Sequence, residues 1–320
     1  MESFPSPAGD VSGVATAAAG ARARSQIRRR LRRDGHVALF LLPPVGLVLA
    51  LYVAPNVLNF AYSFTDWSSY HDYNAVSWVG LSNFEDLSRQ GIVWTDLWVT
   101  VKYAVLVMVF ENVVTLALAL ALEKTTRVNG IFRSVFFLPV LISSLAAGYL
   151  WKGIFDTDGV LNRFLGFFWP GDVHVEWLGS TTWTLVVIAL IHAWRFGGIH
   201  MLVYIAALNA IPEELVEAAK VEGAGWWRVL RKVKLPLIGP AFTFNITLTL
   251  IGALSIFELV LATTRGGPGR ATEVLNIYIF QQFGGGYYAY ATAIGLVLFL
   301  VICAAAFPLI AFLRRREVQL

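Results

Sequence analysis

The stretch 211–240, IPEELVEAAKVEGAGWWRVLRKVKLPLIGP, is a polar insert between segments that are otherwise mostly apolar. Pro212 fits the first turn of a helix, where a missing N–H costs nothing, and Glu213 and Glu214 then place negative charge at the positive end of the helix dipole. Gly223 tolerates positive φ, so it predicts the end of this helix and a turn of the chain. The first half of the insert is therefore predicted to be a helix followed by a corner.

Beyond the corner the insert predicts a second, amphipathic helix. Apolar residues recur at i, i+3, i+4 and i+7, basic residues share the other side, and Pro236 ends the pattern. The apolar positions are Trp226, Val229, Leu230 and Val233, and the basic ones are Arg228, Arg231 and Lys232. A polar helical hairpin of this kind belongs outside a bilayer.

The composition of the rest of the chain identifies an integral membrane protein. In 320 residues, 57% are hydrophobic and only 14% are charged, whereas an average soluble domain has about 25% charged residues. A bilayer core of ~30 Å is crossed by a helix of about 20 apolar residues. Six such runs occur, at 37–64, 97–122, 133–155, 182–208, 240–263 and 288–312.

These runs predict an all-α transmembrane fold of six helices. Residues 1–36, rich in small residues and then in arginine, are expected to form a disordered, basic tail. The transmembrane domain is expected to cover residues 37–313, with the polar insert inside a loop at 209–239, and residues 314–320 form a second basic tail.

The positions of Lys and Arg predict the orientation, because basic residues beside a span are retained on the cytoplasmic side. The basic clusters fall at alternate ends of the runs, whereas the connections on the other side are mostly acidic. Both termini and the loop 209–239 are therefore predicted to be cytoplasmic. The clusters are Arg22 to Arg33, then Lys124, Arg127 and Arg133, then Lys220, Arg228, Arg231, Lys232 and Lys234, and finally Arg314, Arg315 and Arg316.

The polar insert resembles the EAA loop of ABC importer permeases, in which Glu-Ala-Ala, a Gly and a later Leu-Pro form short helices that dock on an ATPase subunit. We call residues 209–239 the coupling loop. The resemblance implies that the ATPase-coupling residues are Glu217, Ala218, Ala219, Glu222, Gly223, Ala224, Leu235 and Pro236. An alternative is an amphipathic helix lying on anionic lipid, which Trp226, Trp227 and the basic residues would suit.

Other segments resemble the carbohydrate-uptake branch of these permeases, and in particular the maltose-type first permease. They are LFLLPPVGLVLALYVAPNVLNFAYSFTDW at 39–67, VGLSNF at 79–84, RSVFFLP at 133–139 and TRGGPGRATE at 264–273. In the last of these, Arg265 stands where Gly is frequent.

The resemblance implies a MetI-like permease in a bacterial inner membrane that carries a sugar or sugar-like solute by alternating access. The implied partners are a second homologous permease subunit, two ABC ATPase subunits and an extracytoplasmic solute-binding protein. This chain has no Walker A pattern, so ATP and Mg are expected on the partner ATPase and no cofactor in this chain. It lacks a Gly-x-Ser-x-Gly elbow and a His-Glu-x-x-His helix, so we predict that it is not an enzyme.

Ionisable side chains within the apolar runs are expensive to bury and normally face the bundle interior or a watery path. Two hypotheses remain open for Arg195: an ion pair with Glu111 or Glu258 that locks helices together, or a place in the solute path. Sugars need hydrogen-bonding groups and flat apolar faces. The candidate solute-path residues are Glu111, Trp151, His192, Trp194, Arg195, Asn245, Glu258, Asn276, Tyr278 and Tyr287.

Other classes of site are not expected. His192 and His200 are eight residues apart with no further ligand suggested by the sequence, so we predict no metal site. The net charge of +4 lies in clusters beside the spans, without a nucleic-acid-reading motif. Two rival functions stay open: a membrane scaffold that recruits a cytoplasmic partner, and an ion-coupled secondary transporter, for which paired repeats would be expected.

Overall fold

The computed structural model describes residues 40–70, 76–168, 174–315 and 317. The predicted N-terminal tail, most of the C-terminal tail, and the aromatic residues His71 and Tyr73 lie outside these ranges. The described residues form helices, and an isolated backbone bridge pairs Thr65 with Trp78. The all-α prediction is confirmed.

The helices are numbered here in chain order. They are α1 (Phe40–Tyr62), α2 (Ser82–Gln90), α3 (Ile92–Leu122), α4 (Arg127–Leu141), α5 (Ser144–Ile154), α6 (Val160–Phe168), α7 (Thr184–Asn209), α8 (Glu213–Val221), α9 (Trp226–Leu237), α10 (Gly239–Leu254), α11 (Glu258–Thr263), α12 (Leu275–Gly284) and α13 (Tyr288–Arg314).

In the described residues, α1, α3, α7 and α13 are each long and apolar enough to cross a membrane alone. Two further pairs qualify as bent spans: α4 with α5, at an angle of 102°, and α9 with α10, at 69°. The number of spans is therefore four to six, and the predicted six requires each bent pair to count as one.

The third predicted span, 133–155, is not one continuous helix. Pro139, which has no N–H to donate, lies in a tight 3-10 turn at Leu138–Leu141. Ser143 is then extended and its Oγ accepts from the N–H of Ala146 at 3.2 Å, which starts a new helix. The chain therefore turns through 102° where the hydropathy pattern runs on.

The fifth predicted span, 240–263, is also interrupted. Helix α10 ends at Leu254, residues 255–257 are irregular with Phe257 at φ −144° and ψ −67°, and α11 begins at Glu258. Asn276 Nδ2 donates to the carbonyl of Ile256 at 3.2 Å and satisfies a backbone group that the broken helix leaves free. Mostly apolar residues lie on both sides of the break, so the hydropathy of the sequence did not reveal it.

The described residues divide into two compact units, one that ends at Ala61 and one that begins at Tyr62. In the second unit, α3 and α7 lie side by side in the same direction, since Tyr103 contacts His192 and Asn112 contacts Tyr204. Helix α10 runs opposite to both, because Asn245 contacts His200 and Ile238 packs with Leu208. We call the end at which α3 and α7 finish the loop end, because the coupling loop follows there.

Candidate functional site

A cavity of about 470 Å³ lies against α7 and α10, next to the break between α10 and α11. Polar and apolar side chains alternate in its wall, and the irregular backbone at 255–257 forms one edge. The lining residues are Ser144, His192, Phe196, Ile199, His200, Leu248, Thr249, Gly252, Ser255, Ile256, Phe257 and Glu258. A cavity with apolar faces and a few polar groups suits a small polar organic molecule.

Glu111 of α3 stands directly behind the two histidines of this wall. Its carboxylate is fully buried, with Oε1 at 3.3 Å from His200 Nε2 and Oε2 at 3.7 Å from His192 Nε2. Neither oxygen makes a hydrogen bond of good geometry to a described residue. A buried carboxylate in this position costs free energy unless the imidazoles compensate it.

Further hydrogen bonds hold Nδ1 of each imidazole, the ring nitrogen that does not face Glu111. Tyr103 Oη lies 2.9 Å from His192 Nδ1. Asn245 Nδ2 donates to the backbone carbonyl of His200 at 3.0 Å, so its Oδ1 faces His200 Nδ1 at 2.9 Å. An amide oxygen only accepts, so Nδ1 of His200 carries the proton.

The position of the proton on His200 determines whether its contact with Glu111 needs a second proton. With Nδ1 protonated, neutral His200 turns the lone pair of Nε2 towards Glu111 Oε1. A carboxylate facing a lone pair in a buried place is unfavourable, so we infer that this pair carries one further proton, on Glu111 or on His200. The pair is therefore neutral overall, and the cavity wall beside it carries no net charge from Glu111.

A second set of polar contacts joins the same three helices. Tyr204 Oη donates to Asn112 Oδ1 at 2.7 Å, and Asn112 Nδ2 donates to Thr249 Oγ1 at 3.4 Å. Tyr204 is fully buried. These contacts hold α3, α7 and α10 together behind the cavity, so its wall is supported by hydrogen bonds as well as by packing.

The direct contacts of Arg195 are different from those that either hypothesis gave it, although the charge of Glu258 acts on its guanidinium. Glu111 contacts the histidines instead, and among the described residues no ion pair within 4.0 Å involves Arg195. Its Nε donates to the carbonyl of Ile142 at 2.8 Å, and its guanidinium lies 4.2 Å from the centre of the Phe196 ring. Arg195 thus binds the broken turn between α4 and α5, and it does not line the cavity.

The other predicted solute-path residues fall into three groups. His192 and Glu258 line the cavity, and Glu111 and Asn245 lie behind it. Trp151 and Trp194 make an edge-to-face contact at 5.2 Å outside the lining, and Asn276 supports the edge through Ile256. Tyr278 is buried beneath Arg270, and Tyr287 packs on Tyr70, so these two belong to other parts of the fold.

The sequence interpretation missed His200, Thr249 and Ser255 as cavity residues. His200 could have been found, because it is the third ionisable residue in the apolar run 182–208, and such residues normally face the bundle interior. The sequence also did not bring Glu111 near the histidines. In the described part of the chain, no group of three or more His, Cys, Asp or Glu side chains is arranged to hold a metal ion, and this includes Glu111, His192 and His200.

The coupling loop forms the predicted helical hairpin, α8 and α9. Pro212 precedes the first helix as its cap residue, one position earlier than predicted, and Glu213 and Glu214 occupy the first turn. Gly223 has φ +83°, and the N–H of Ala224 donates to Ala219 O at 2.9 Å, which closes the helix end.

The residues expected to couple to the ATPase differ in exposure. Glu217, Ala218, Glu222 and Gly223 are exposed, whereas Ala219, Ala224, Leu235 and Pro236 are half-buried. In α9, Val229 and Leu230 of the predicted apolar stripe are buried. Trp226, the first residue of that stripe, is exposed together with Trp227, so it does not pack within this chain. An exposed acidic tip and an exposed tryptophan pair thus project from the loop end.

The chain has up to six apolar spans, a polar helical hairpin at one end and a cavity with polar groups beside its long helices. These are the features of a membrane permease subunit. Residues 113–318 match the family model described as "Binding-protein-dependent transport system inner membrane component". The chain belongs to this family, whose members are non-catalytic, membrane-embedded subunits of ABC transporters. The predictions of family, MetI-like fold and inner-membrane location are confirmed.

Curated relatives match over nearly the whole chain. A probable starch degradation products transport system permease protein, AmyD of Thermoanaerobacterium thermosulfurigenes, is 32% identical over 287 residues, covering 88% of this chain and 95% of the relative. The trehalose/maltose transport system permease protein MalF of Thermococcus litoralis is 26% identical, covering 87% and 92%. A solved bacterial ABC transporter for import of the polysaccharide alginate matches with a TM-score of 0.77 at 22% identity, covering 91% of this chain and 99% of that chain.

Proposed function

We propose that this chain is the permease subunit of a sugar importer and that the cavity between α7 and α10 is where the sugar-like solute contacts it during passage. The observation that carries the proposal is the cavity wall, in which His192, His200 and Glu258 alternate with apolar side chains. The printed names of relatives support the solute class, since they include permeases for starch degradation products, trehalose or maltose, and lactose.

The chemistry of the wall suits a neutral, hydroxyl-rich solute. Histidine, serine and threonine offer both donors and acceptors, which sugar hydroxyls require. Phe196 and Phe257 supply flat faces on which the C–H surface of a sugar ring can rest. The shared proton between Glu111 and His200 removes a buried negative charge from this part of the wall, which favours a neutral solute.

The proposed assembly contains a second permease of similar fold, two ABC ATPase subunits that bind ATP and Mg, and an extracytoplasmic binding protein. A complex of the alginate transporter with a pentasaccharide-bound periplasmic protein supports the last of these partners. The ATPases would dock on Glu217 to Ala224 of the coupling loop. Closure of the ATPase dimer would then move this loop and change the side to which the cavity opens.

A substitution that fills the cavity tests this proposal. Gly252 lies in α10 at the cavity wall, and nothing is within 4 Å of a Cβ placed there. Gly252→Leu should reduce sugar uptake by about tenfold or more, because the new side chain occupies the solute volume and a helix tolerates Leu better than Gly. Uptake of labelled maltose, trehalose and lactose by membranes with the complete transporter measures this effect.

The matched control is Gly295→Leu, which changes another mid-helix glycine with open space at its Cβ, in α13 and outside the cavity. Both variants are compared at equal amounts of assembled complex. Unchanged uptake with Gly252→Leu would exclude this cavity from the solute path. Loss of uptake in both variants would mean that the effect comes from helix substitution in general.

A further inference from the structure

We propose that the ion pair between Lys234 and Glu123 transmits movement of the coupling loop to the cavity wall. Lys234 is near the end of α9, and Glu123 directly follows α3. This inference rests on the proposed coupling role of the loop. It assigns positioning roles to two residues outside the Glu-Ala-Ala and Leu-Pro positions.

The geometry of the pair differs from that of an ordinary surface contact. Lys234 Nζ lies 2.7 Å from both Oε1 and Oε2 of Glu123. The two side chains are only 18% and 23% exposed, so water screens the pair weakly. Arg228, Arg231 and Lys232 of the same helix are exposed, so Lys234 is the basic residue of α9 that turns inward, on the face of Leu230.

The Glu123 side of the pair is attached to a rigid helix end. Arg133 donates from Nε and Nη2 to the carbonyl of Leu122 at 3.1 and 2.7 Å, and from Nη2 to the carbonyl of Glu123 at 3.0 Å. These bonds satisfy carbonyls that the last turn of α3 leaves without partners. A force on Glu123 therefore acts on α3 as a whole and does not unwind its final turn.

Each residue of the pair is connected to the cavity through its own part of the chain. Glu111 precedes Glu123 by twelve residues on α3, which is about 18 Å along a helix, and it contacts both histidines of the cavity wall. On the other side, Lys234 leads through the 69° bend into α10. Leu248, Thr249 and Gly252 of α10 line the same cavity. The ion pair thus ties the end of α3, which stands behind the histidines of the cavity wall, to α9, which leads into α10, a helix of that wall.

The test uses a reporter in the cavity that does not depend on the identity of the solute. Ser255→Cys, made on a Cys303→Ser background in the assembled transporter, is labelled with a maleimide before and after Mg-ATP and vanadate are added. We expect the nucleotide to change the labelling rate in the parent. Lys234→Met and Glu123→Gln should each reduce that change about fivefold or more, the size typical of a lost coupling between sites.

The charge reversal Glu123→Lys with Lys234→Glu should restore the response to the nucleotide, together with normal subunit stoichiometry. Lys124→Met is the matched control, because it removes an exposed charge from the adjacent position and should change nothing. A full response in both single variants would overturn the inference, as would a double reversal that restores assembly but not the response.

Glu217→Ala separates the two levels of this proposal. If it abolishes the nucleotide response while both ion-pair variants keep it, only the role of Lys234 and Glu123 is wrong. If the response also survives Glu217→Ala, or is absent from the parent, the proposed coupling function of the loop itself fails.

Discussion

At the scale of single residues, Glu111 stands behind the cavity wall, next to both of its histidines. It is fully buried, and its polar neighbours are Nε2 of His192 and Nε2 of His200. Because Asn245 fixes the proton of His200 on Nδ1, the contact with Glu111 requires one shared proton. We therefore infer that the acid and His200 together carry no net charge.

We therefore expect Glu111→Gln to be tolerated and Glu111→Leu to be harmful. The amide of Gln donates to Nε2 of His200 as the shared proton did, and its oxygen faces His192. Leu leaves both ring nitrogens without a partner, which should lower the free energy of unfolding by about 1–3 kcal/mol. Thermal unfolding of the complex in detergent compares the two variants. Equal destabilisation by Gln and Leu would mean that a charged carboxylate is needed and would contradict the shared proton.

At the scale of secondary-structure elements, close backbone approach controls how the broken helices pack. A Cβ at Gly198 of α7 would clash with the carbonyl oxygen of Phe136 in α4. That oxygen belongs to a helix backbone and cannot swing aside as a long side chain does. Next to this contact, Arg195 binds the carbonyl of Ile142, so α7 holds the 102° bend between α4 and α5 from both sides.

Gly198→Ala should consequently push α4 away from α7 and destabilise the subunit by about 1–3 kcal/mol, a typical cost of overpacking. Gly130→Ala, at an exposed position of α4 with open space around its Cβ, should instead stabilise it by about 0.5–1 kcal/mol. Opposite signs in thermal unfolding would support the packing account. A Gly198→Ala variant as stable as the parent would show that the two helices are not in contact at this point.

At the scale of the whole molecule, the distribution of charge predicts which end of the bundle faces the cytoplasm. Lys124, Arg133, Lys234 and Arg314 all lie at or beside the loop end. On the opposite end, Arg270 is paired with Asp96 at 2.7 Å and Glu273 at 3.2 Å. Burial raises the pKa of the Glu273 carboxyl, and the charge of Arg270 opposes that rise. Basic residues are thus concentrated at the loop end, whereas Arg270 at the opposite end is paired with two carboxylates.

We expect the loop end to be cytoplasmic, and exposed single cysteines can show this on a Cys303→Ser background. Val221→Cys, in the coupling loop and 89% exposed, should react with a membrane-impermeant maleimide only after the membrane is permeabilised. Val160→Cys, 67% exposed at the start of α6, should react in intact cells. Val229 is buried and so is unsuitable as a reporter. The reverse labelling pattern would overturn the predicted orientation.

The sequence by itself determined the class of this protein. Three features depend on local physical chemistry alone: apolar runs long enough to cross a bilayer, the helix between Pro212 and Gly223 with its corner, and the placement of Lys and Arg. Each can be read over a short window without knowledge of distant contacts. The all-helical fold and the helical hairpin followed from these features, whereas the family was predicted from the resemblance of the hairpin and other segments to known permeases.

The tertiary structure alone decided which polar residues meet. Glu111, His192, His200 and Asn245 come from three different helices, and hydropathy places them within spans but says nothing about which way each helix is turned. The breaks at Ser143 and at 255–257 lie within runs that are mostly apolar. Such breaks are tolerated in a bilayer where a distant side chain, here Arg195 or Asn276, satisfies the free backbone group. The partners of those groups lie 53 and 20 residues away along the chain, and only the folded structure brings them together.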